Sequence, residues 1–97
     1  MTLEKNVENY LVAQVKKRKG RCYKWVSPGT LGVPDRLVFW PDGSIDLIEL
    51  KQQGKIPRLS QRVLHAELKA LGHVVRVLDS KAQIDQFLQE KELSWNV

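Results

Sequence analysis

Two acidic side chains and one lysine stand out in the middle of the chain because their neighbours are apolar. Asp35 follows Pro34 at the start of a β-prone segment, and Glu49 lies within Ile48-Glu49-Leu50-Lys51. A carboxylate in so apolar a strand is seldom buried without a partner or a metal ion. Because side chains alternate along a strand, Glu49 and Lys51 leave the same face. A carboxylate and an ammonium group can therefore lie side by side on one face of a sheet.

The turn between the two segments decides whether Asp35 shares that face. The residues Trp40-Pro41-Asp42-Gly43-Ser44 favour a type I turn closed by a left-handed glycine, which is a three-residue loop with a G1 bulge. Such a loop pairs Trp40 with Ser44 and places Asp35 opposite Glu49, with Cβ atoms about 5 Å apart. A two-residue loop would instead direct the two acids to opposite faces.

Two carboxylates at that distance repel each other unless a cation lies between them. Oxygen ligands suit Mg²⁺ or Mn²⁺, and such an ion beside an ammonium can polarise a phosphodiester and orient a water molecule. A competing interpretation, in which Asp35 caps the loop and Glu49 pairs with Lys51 or an arginine, stays open on these residues alone.

Length and charge narrow the classes of function. The 97 residues predict one domain spanning 1–97, which excludes a large multi-site enzyme. The net charge is +5, and residues 1–78 hold 14 basic against 7 acidic side chains, a local net of +7 that favours a polyanionic partner.

Cys22 is the single cysteine, so an internal disulfide and a thiolate zinc cluster are excluded. The N-terminal residues do not resemble a secretion signal and no apolar run is membrane-length, so we expect a cytoplasmic protein.

Hydrophobic periodicity and turn residues predict seven elements in the order αβββαβα. They are a first helix of about 16 residues capped by Thr2 and stopped by Gly20, strands at Cys22–Val26, Arg36–Trp40 and Ile45–Lys51, a helix at Ser60–Leu71, a strand at His73–Leu78, and a helix from Ser80 to about Lys91. The fold class is α/β with a mixed sheet. Because the second and third strands are apolar on both faces, we expect helices on both sides of the sheet. Trp95 is expected in a tail that is disordered or packs on a partner chain.

Three groups of residues resemble a known family. Gly32-Val33-Pro34-Asp35-Arg36, then Ile48-Glu49-Leu50-Lys51, then Gln61 in the following helix are similar to the PD-(D/E)XK nuclease superfamily. They resemble most its virus-type replication-repair nuclease (VRR-NUC) branch, in the small stand-alone form common in phages and bacteria. The resemblance covers nearly the whole chain. It implies an αβββαβ core, here with a C-terminal helix, and Mg²⁺- or Mn²⁺-dependent cleavage of DNA phosphodiesters.

The resemblance also implies a role for each residue of the site. Asp35 and Glu49 would bind the metal ion, with the Leu50 carbonyl as a further ligand. Lys51 would position or activate the water, or stabilise the phosphate in the transition state. Gln61 would support the site from the neighbouring helix.

The same branch supplies an acid from its first helix and phosphate contacts from its first strand. Glu4 and Glu8 both qualify as the acid, and we favour Glu8 as a catalytic and metal-binding residue because it is farther from the terminus. Lys24 and Ser27 match positions at which the branch carries lysine and serine, and we expect them to contact DNA backbone phosphate.

Other cations are candidate DNA contacts on charge and position alone. Arg36 should face away from Asp35, and either pairs with Asp46 or binds DNA. The remaining candidates are Lys55, Arg58 and Arg62 beyond the third strand, and the group Lys16–Lys19 with Arg21. His65 and His73 lack metal-ligand spacing, and we expect both to be structural.

The predicted function is a structure-specific DNA endonuclease of DNA repair that resolves Holliday junctions as a homodimer, acting in the cytoplasm of a bacterial or phage-infected host. Two active sites on a two-fold axis would suit symmetric cuts in a four-way junction. The alternatives are a nuclease of flaps or other branched DNA, a non-catalytic DNA-binding module with the same fold, and a small interaction protein.

Overall fold

The computed structural model describes residues 3–52 and 54–95, leaving aside the side chains of Leu3 and Glu4. Its elements are α1 (Leu3–Lys17), β1 (Arg21–Lys24), β2 (Arg36–Phe39), β3 (Ile45–Leu50), α2 (Leu59–Ala70), β4 (Val75–Leu78) and α3 (Lys81–Trp95). The predicted order αβββαβα is confirmed. Each boundary lies within a few residues of its expected place, except at the end of α3.

The four strands form one mixed sheet in the order β1-β2-β3-β4. β1 pairs with β2 and β2 with β3 in antiparallel fashion, while β3 and β4 are parallel. A parallel pair needs a crossover connection, and α2 supplies it. The predicted fold class, a mixed sheet with a C-terminal helix, is therefore confirmed.

The turn between β2 and β3 has the geometry that its residues predict. The Trp40 N–H donates to the Ser44 carbonyl at 3.0 Å, the Gly43 N–H donates to the Trp40 carbonyl at 3.0 Å, and Gly43 has φ +89°. The resulting register places Arg36 beside Ile48. Asp35, one residue earlier, falls opposite Glu49, and the predicted register is confirmed.

The hydrophobic core lies between one face of the sheet and the helices α1 and α3. Val7, Leu11 and Val15 of α1, spaced four residues apart, are buried there as the spacing predicts, and α1 contacts β1, β3 and α3. The core residues are Val7, Leu11, Val15, Val38, Trp40, Ile48, Leu50, Leu78, Ile84, Phe87 and Leu88. The even-numbered residues of β2 and β3 supply this face, so the odd-numbered ones, among them Glu49, face the other side.

The second face of the sheet is covered only in part. α2 lies against β4 because it connects two neighbouring strands at one side of the sheet. Of the apolar residues of the helical segment, Val63 is 50% exposed and Leu71, just after α2, is 74% exposed. Helices lie on both sides of the sheet as predicted, and the helix on this side leaves part of its apolar surface uncovered.

The C-terminal helix is longer than its sequence suggests. α3 begins after Ser80, whose hydroxyl accepts the Gln83 N–H at 3.2 Å as predicted, and it continues to Trp95. The Trp95 ring lies 5.4 Å from the ring of Trp40, and its indole N–H donates to Asp42 at 3.0 Å. The prediction that Trp95 belongs to a tail is therefore wrong, because the indole packs on the β2–β3 turn.

Two further observations complete the fold. Thr2, the predicted cap of α1, lies outside the described residues. Within 3–52 and 54–95, no helix is long and apolar enough to cross a membrane.

Candidate active site

Glu49 is a carboxylate buried in the middle of the sheet. It is 1% exposed, and one oxygen, Oε2, accepts a hydrogen bond of 2.6 Å from the Gln61 side-chain amide. The Lys51 ammonium lies 3.4 Å from the same oxygen. The other oxygen, Oε1, is buried and has no hydrogen-bond partner in the described part of the chain. Half of the carboxylate is thus held by protein groups, and half is left for a ligand.

Asp35 is fixed against the same strand. Its Oδ2 accepts the Leu50 N–H at 2.9 Å, and its own carbonyl accepts the Trp25 N–H at 3.0 Å. The hairpin register directs its side chain to the face that carries Glu49 and Lys51. Two acids and a lysine, from β3 and the residue before β2, therefore converge on one face.

Gln61 is held at both ends of its amide. Its Nε2 donates to Glu49, while its Oε1 accepts the backbone N–H of Arg58, the residue that precedes α2. The loop before Asp35 packs on this end of the helix. At Gly32, where φ is +89°, an added Cβ would lie 2.4 Å from the Ser60 carbonyl oxygen. A glycine is needed here both for the backbone angle and for the close approach.

Burial and charge act together on Glu49. Burial, followed by the negative charge of Asp35, raises the pKa of Glu49 from 4.5 to about 7, against the opposing effect of Lys51. Two carboxylates that share a site cannot both ionise easily, and a cation between them relieves the repulsion. The site thus favours a positive ligand.

Replacing Glu49 by glutamine is expected to stabilise the metal-free protein at pH 8. A carboxyl whose folded-state pKa is raised contributes its stabilisation below pH 4.5 and loses it as the pH rises through about 7. The loss in the free energy of unfolding is on the order of 3 kcal/mol, and the neutral amide of glutamine at position 49 avoids it. Urea unfolding in EDTA at pH 5 and pH 8 measures the difference.

The exposed Glu67 of α2 supplies the control, as Glu67→Gln. This variant should follow the wild-type protein at both pH values. If Glu49→Gln and wild type lose the same free energy of unfolding between pH 5 and pH 8, burial does not raise the pKa of the Glu49 carboxyl.

Comparison with known proteins identifies the family. No family model matches the sequence. A solved structure described as a VRR_NUC domain superposes with a TM-score of 0.87 at 29% identity, covering 92% of this chain and 97% of the other. The sequence is also 51% identical over 78 residues to "Putative nuclease p44" of Acyrthosiphon pisum secondary endosymbiont phage 1, covering 80% of this chain and 84% of the phage protein. The chain belongs to the VRR-NUC family of nucleases.

The VRR-NUC fold brings together most of the predicted site. Asp35, Glu49, Lys51 and Gln61 lie together, and the Leu50 N–H contacts Asp35. An orphaned buried carboxylate oxygen facing a second carboxylate fits a hard divalent cation. No group of three histidine, cysteine or acidic residues within the described chain could hold a metal ion. Two carboxylates suit Mg²⁺, which keeps several waters and takes further ligands from phosphate.

The structure does not bring Glu8 to this site. Its carboxylate contacts the Arg36 guanidinium at 2.5 Å and the Lys5 ammonium at 3.3 Å. Although burial acts to raise the pKa of Glu8, the hydrogen bonds from Arg36 and Lys5 lower it. Arg36 and Asp35 are consecutive and leave opposite faces, so Glu8 is held on the α1 side of the sheet. The other candidate acid, Glu4, has a side chain outside the described part.

Arg36 does not pair with Asp46. Its guanidinium bonds to Glu8 and to the Cys22 carbonyl, and it is half-buried. Asp46, the acid expected to pair with it, instead accepts the Trp40 indole N–H at 2.6 Å and lies 3.2 Å from the Lys91 ammonium. The predicted Arg36–Asp46 pair is therefore wrong, because α1 supplies Glu8 as the partner, while contact of Arg36 with DNA stays a prediction.

Five other residues predicted to contact DNA fall into two places. Lys55, Arg58 and Arg62 are exposed around the start of α2, where Gln61 bonds to the Arg58 N–H. Lys24 is exposed and is paired with Arg36 in the sheet, so its side chain leaves the α1 side, and Ser27 lies in the following loop. Lys24 and Glu49 therefore leave opposite faces of the sheet.

His65, which the sequence predicts to be structural, lies on the face of α2 that carries Gln61. Its Nε2 is buried and has no hydrogen-bond partner in the described residues. Burial, followed by the positive charge of Lys51, lowers the pKa of His65, and the negative charge of Asp35 opposes this. The signal in the sequence was its spacing of four from Gln61, which puts both side chains on one face of α2.

Proposed function

We propose that this VRR-NUC nuclease is a Mg²⁺- or Mn²⁺-dependent endonuclease that hydrolyses phosphodiester bonds of branched DNA. The observation that supports the proposal best is the pairing of Asp35 with Glu49, whose Oε1 is buried and unpartnered, beside the Lys51 ammonium. A protein that only bound DNA electrostatically would gain nothing from carboxylates in its contact surface.

Each residue of the site would have its own role in the reaction. Asp35, Glu49 and the Leu50 carbonyl would hold the metal ion, which would polarise the phosphate and help to activate the attacking water. The water oxygen attacks phosphorus and loses a proton, the bond to the 3′-oxygen breaks, and that oxygen takes up a proton. The products are 5′-phosphate and 3′-hydroxyl ends. Lys51 would stabilise the negative charge that develops on phosphate, and Gln61 would keep Glu49 in place.

We further propose that the substrate is a four-way junction and that two copies act on it. Lys55, Arg58 and Arg62, exposed beside the site, would contact backbone phosphates, with Lys24 and Ser27 as outlying contacts. A chain of 97 residues has little surface for branched DNA, and a two-fold pair would suit symmetric incisions. The likeness to a phage protein supports action in the cytoplasm of a host.

A labelled four-way junction, a flap and a matched linear duplex test the proposal. Cleavage of the junction with Mg²⁺ or Mn²⁺, its absence in EDTA, and its loss in Asp35→Asn are the expected results. Preferential cleavage of the flap would show that the substrate is a flap and not a four-way junction. Binding that is salt-sensitive without cleavage of any substrate would overturn the catalytic proposal.

Metal affinity should depend steeply on pH. Because Glu49 is protonated below a pKa of about 7, a metal ion has to displace its proton there. The Kd for Mn²⁺ should therefore fall about tenfold per pH unit between pH 5 and pH 7 and level off above, since one proton is released per ion. Calorimetric titration of the DNA-free protein measures this, and a Kd independent of pH would show that metal binding displaces no proton from Glu49.

A further inference from the structure

His65 occupies a place next to the nuclease centre that no other part of the mechanism uses. It follows Gln61 by one helical turn, and Gln61 contacts Glu49 directly. Its Nε2 is buried and makes no hydrogen bond to any described residue. Leaving such a group unsatisfied is unfavourable, and native structures seldom keep one without a reason.

Any partner of Nε2 has to come from the groups that surround the ring. Nε2 is closed to solvent, so water and DNA do not reach it from outside in this structure. The charged groups whose fields act on the ring are Lys51 and Asp35, both from the centre itself. Of these, Lys51 has a long, flexible side chain, three donor hydrogens and a single rather long contact of 3.4 Å to Glu49.

We propose that His65 is a positioning residue that holds the Lys51 ammonium when the centre is occupied, with Nε2 as the hydrogen-bond acceptor. The inference rests on the proposed function. A cation bound at the unpartnered Oε1 of Glu49 repels the Lys51 ammonium, which lies beside Oε2 of the same carboxylate. Lys51 then loses its ion pair, and the unsatisfied ring nitrogen is the acceptor that keeps it beside the phosphate. The ring must be neutral, with its proton on Nδ1.

Two substitutions separate this role from packing. The Oε1 of glutamine can stand where histidine places Nε2, whereas asparagine reaches only as far as Nδ1. His65→Gln should therefore keep activity within about threefold of wild type, and His65→Asn should lower kcat roughly 10- to 100-fold with KM unchanged, since small misplacements of a catalytic group have effects of this size. The exposed His73→Asn is the matched control and should behave as wild type.

A double-mutant cycle with Lys51→Met shows whether His65 acts through Lys51. If it does, adding His65→Asn to Lys51→Met causes no further loss. An equal loss in both backgrounds, or His65→Gln no better than His65→Asn, would overturn the inference.

Long-range ¹⁵N–¹H spectra of histidine provide a readout that needs no cleavage. With Mg²⁺ and no DNA, His65 should show the Nδ1–H tautomer with Nε2 as an acceptor, and Lys51→Met should change the Nε2 shift. The Nε2–H tautomer would contradict the proposal. If the wild-type protein does not cleave DNA, the proposed function fails, while these spectra still decide the role of His65.

Discussion

Replacing Lys51 by methionine is expected to lower the rate of DNA cleavage about 10³-fold, the size of effect seen when one preorganised donor to a developing anion is removed. Lys51 is half-buried, and its ammonium lies 3.4 Å from a carboxylate that is itself buried. In such surroundings a positive charge stabilises a negative transition state far more than it would in water. Methionine retains the length and the apolar contacts of the side chain. Single-turnover cleavage with Mg²⁺ in excess measures the effect.

The exposed Lys55, four residues on, supplies the matched control. Lys55→Met removes the same charge from a place where only phosphate binding is expected, so it should weaken DNA binding several-fold and leave the single-turnover rate nearly unchanged. Lys51→Met should do the reverse, with DNA affinity in Ca²⁺ close to wild type. Equal effects of both variants on affinity, with no selective loss of rate, would mean that Lys51 is only a phosphate contact.

Replacing Gly32 by alanine is expected to destabilise the protein by about 2–5 kcal/mol, the largest effect on folding that we predict for one methyl group. A left-handed backbone costs a non-glycine residue about 1–2 kcal/mol, and overpacking adds typically 1–3 kcal/mol. Here the added Cβ would lie 2.4 Å from the Ser60 carbonyl oxygen, which is backbone and cannot rotate away. Because Gln61 follows Ser60, the same shift should weaken the support of Glu49. Urea unfolding and cleavage rate measure the two consequences.

Gly43 separates the two causes. It has the same φ of +89° but open space around it, so Gly43→Ala should cost only the backbone term of about 1–2 kcal/mol. The Gly43→Ala variant should still cleave DNA at temperatures at which it is folded. A Gly32 variant no less stable than the Gly43 variant would show that the loop moves away from α2 at little cost.

The features that the sequence predicted are those with a local cause. The residues Trp40 to Ser44 specify one turn, the turn sets the register, and the register brings Asp35 opposite Glu49. The helix and strand order followed from periodicity and from glycines such as Gly72, which ends α2 with φ +94°. These signals extend over a few residues and do not depend on how the helices pack on the sheet.

The features that were missed depend on residues distant in the chain. Trp95 is ordered because Trp40 and Asp42, more than fifty residues earlier, offer it a ring and a carboxylate. Glu8 is paired with Arg36 across the α1–sheet contact, which spacing alone does not reveal. The sequence predicts a structural role for His65 because a single histidine lacks ligand spacing, and only the fold shows that the charges of Lys51 and Asp35 act on its ring.

The two outer strands of the sheet bear on how the protein behaves when it is concentrated. β1 and β4 are each four residues long, and both carry cations, Arg21 and Lys24 on β1 and Arg76 on β4. Unpaired backbone groups along a sheet edge can recruit a strand from another molecule, and short, charged edges discourage this. Copies crowded along one DNA molecule are therefore expected to stay separate four-stranded sheets and not to join edge to edge into fibres.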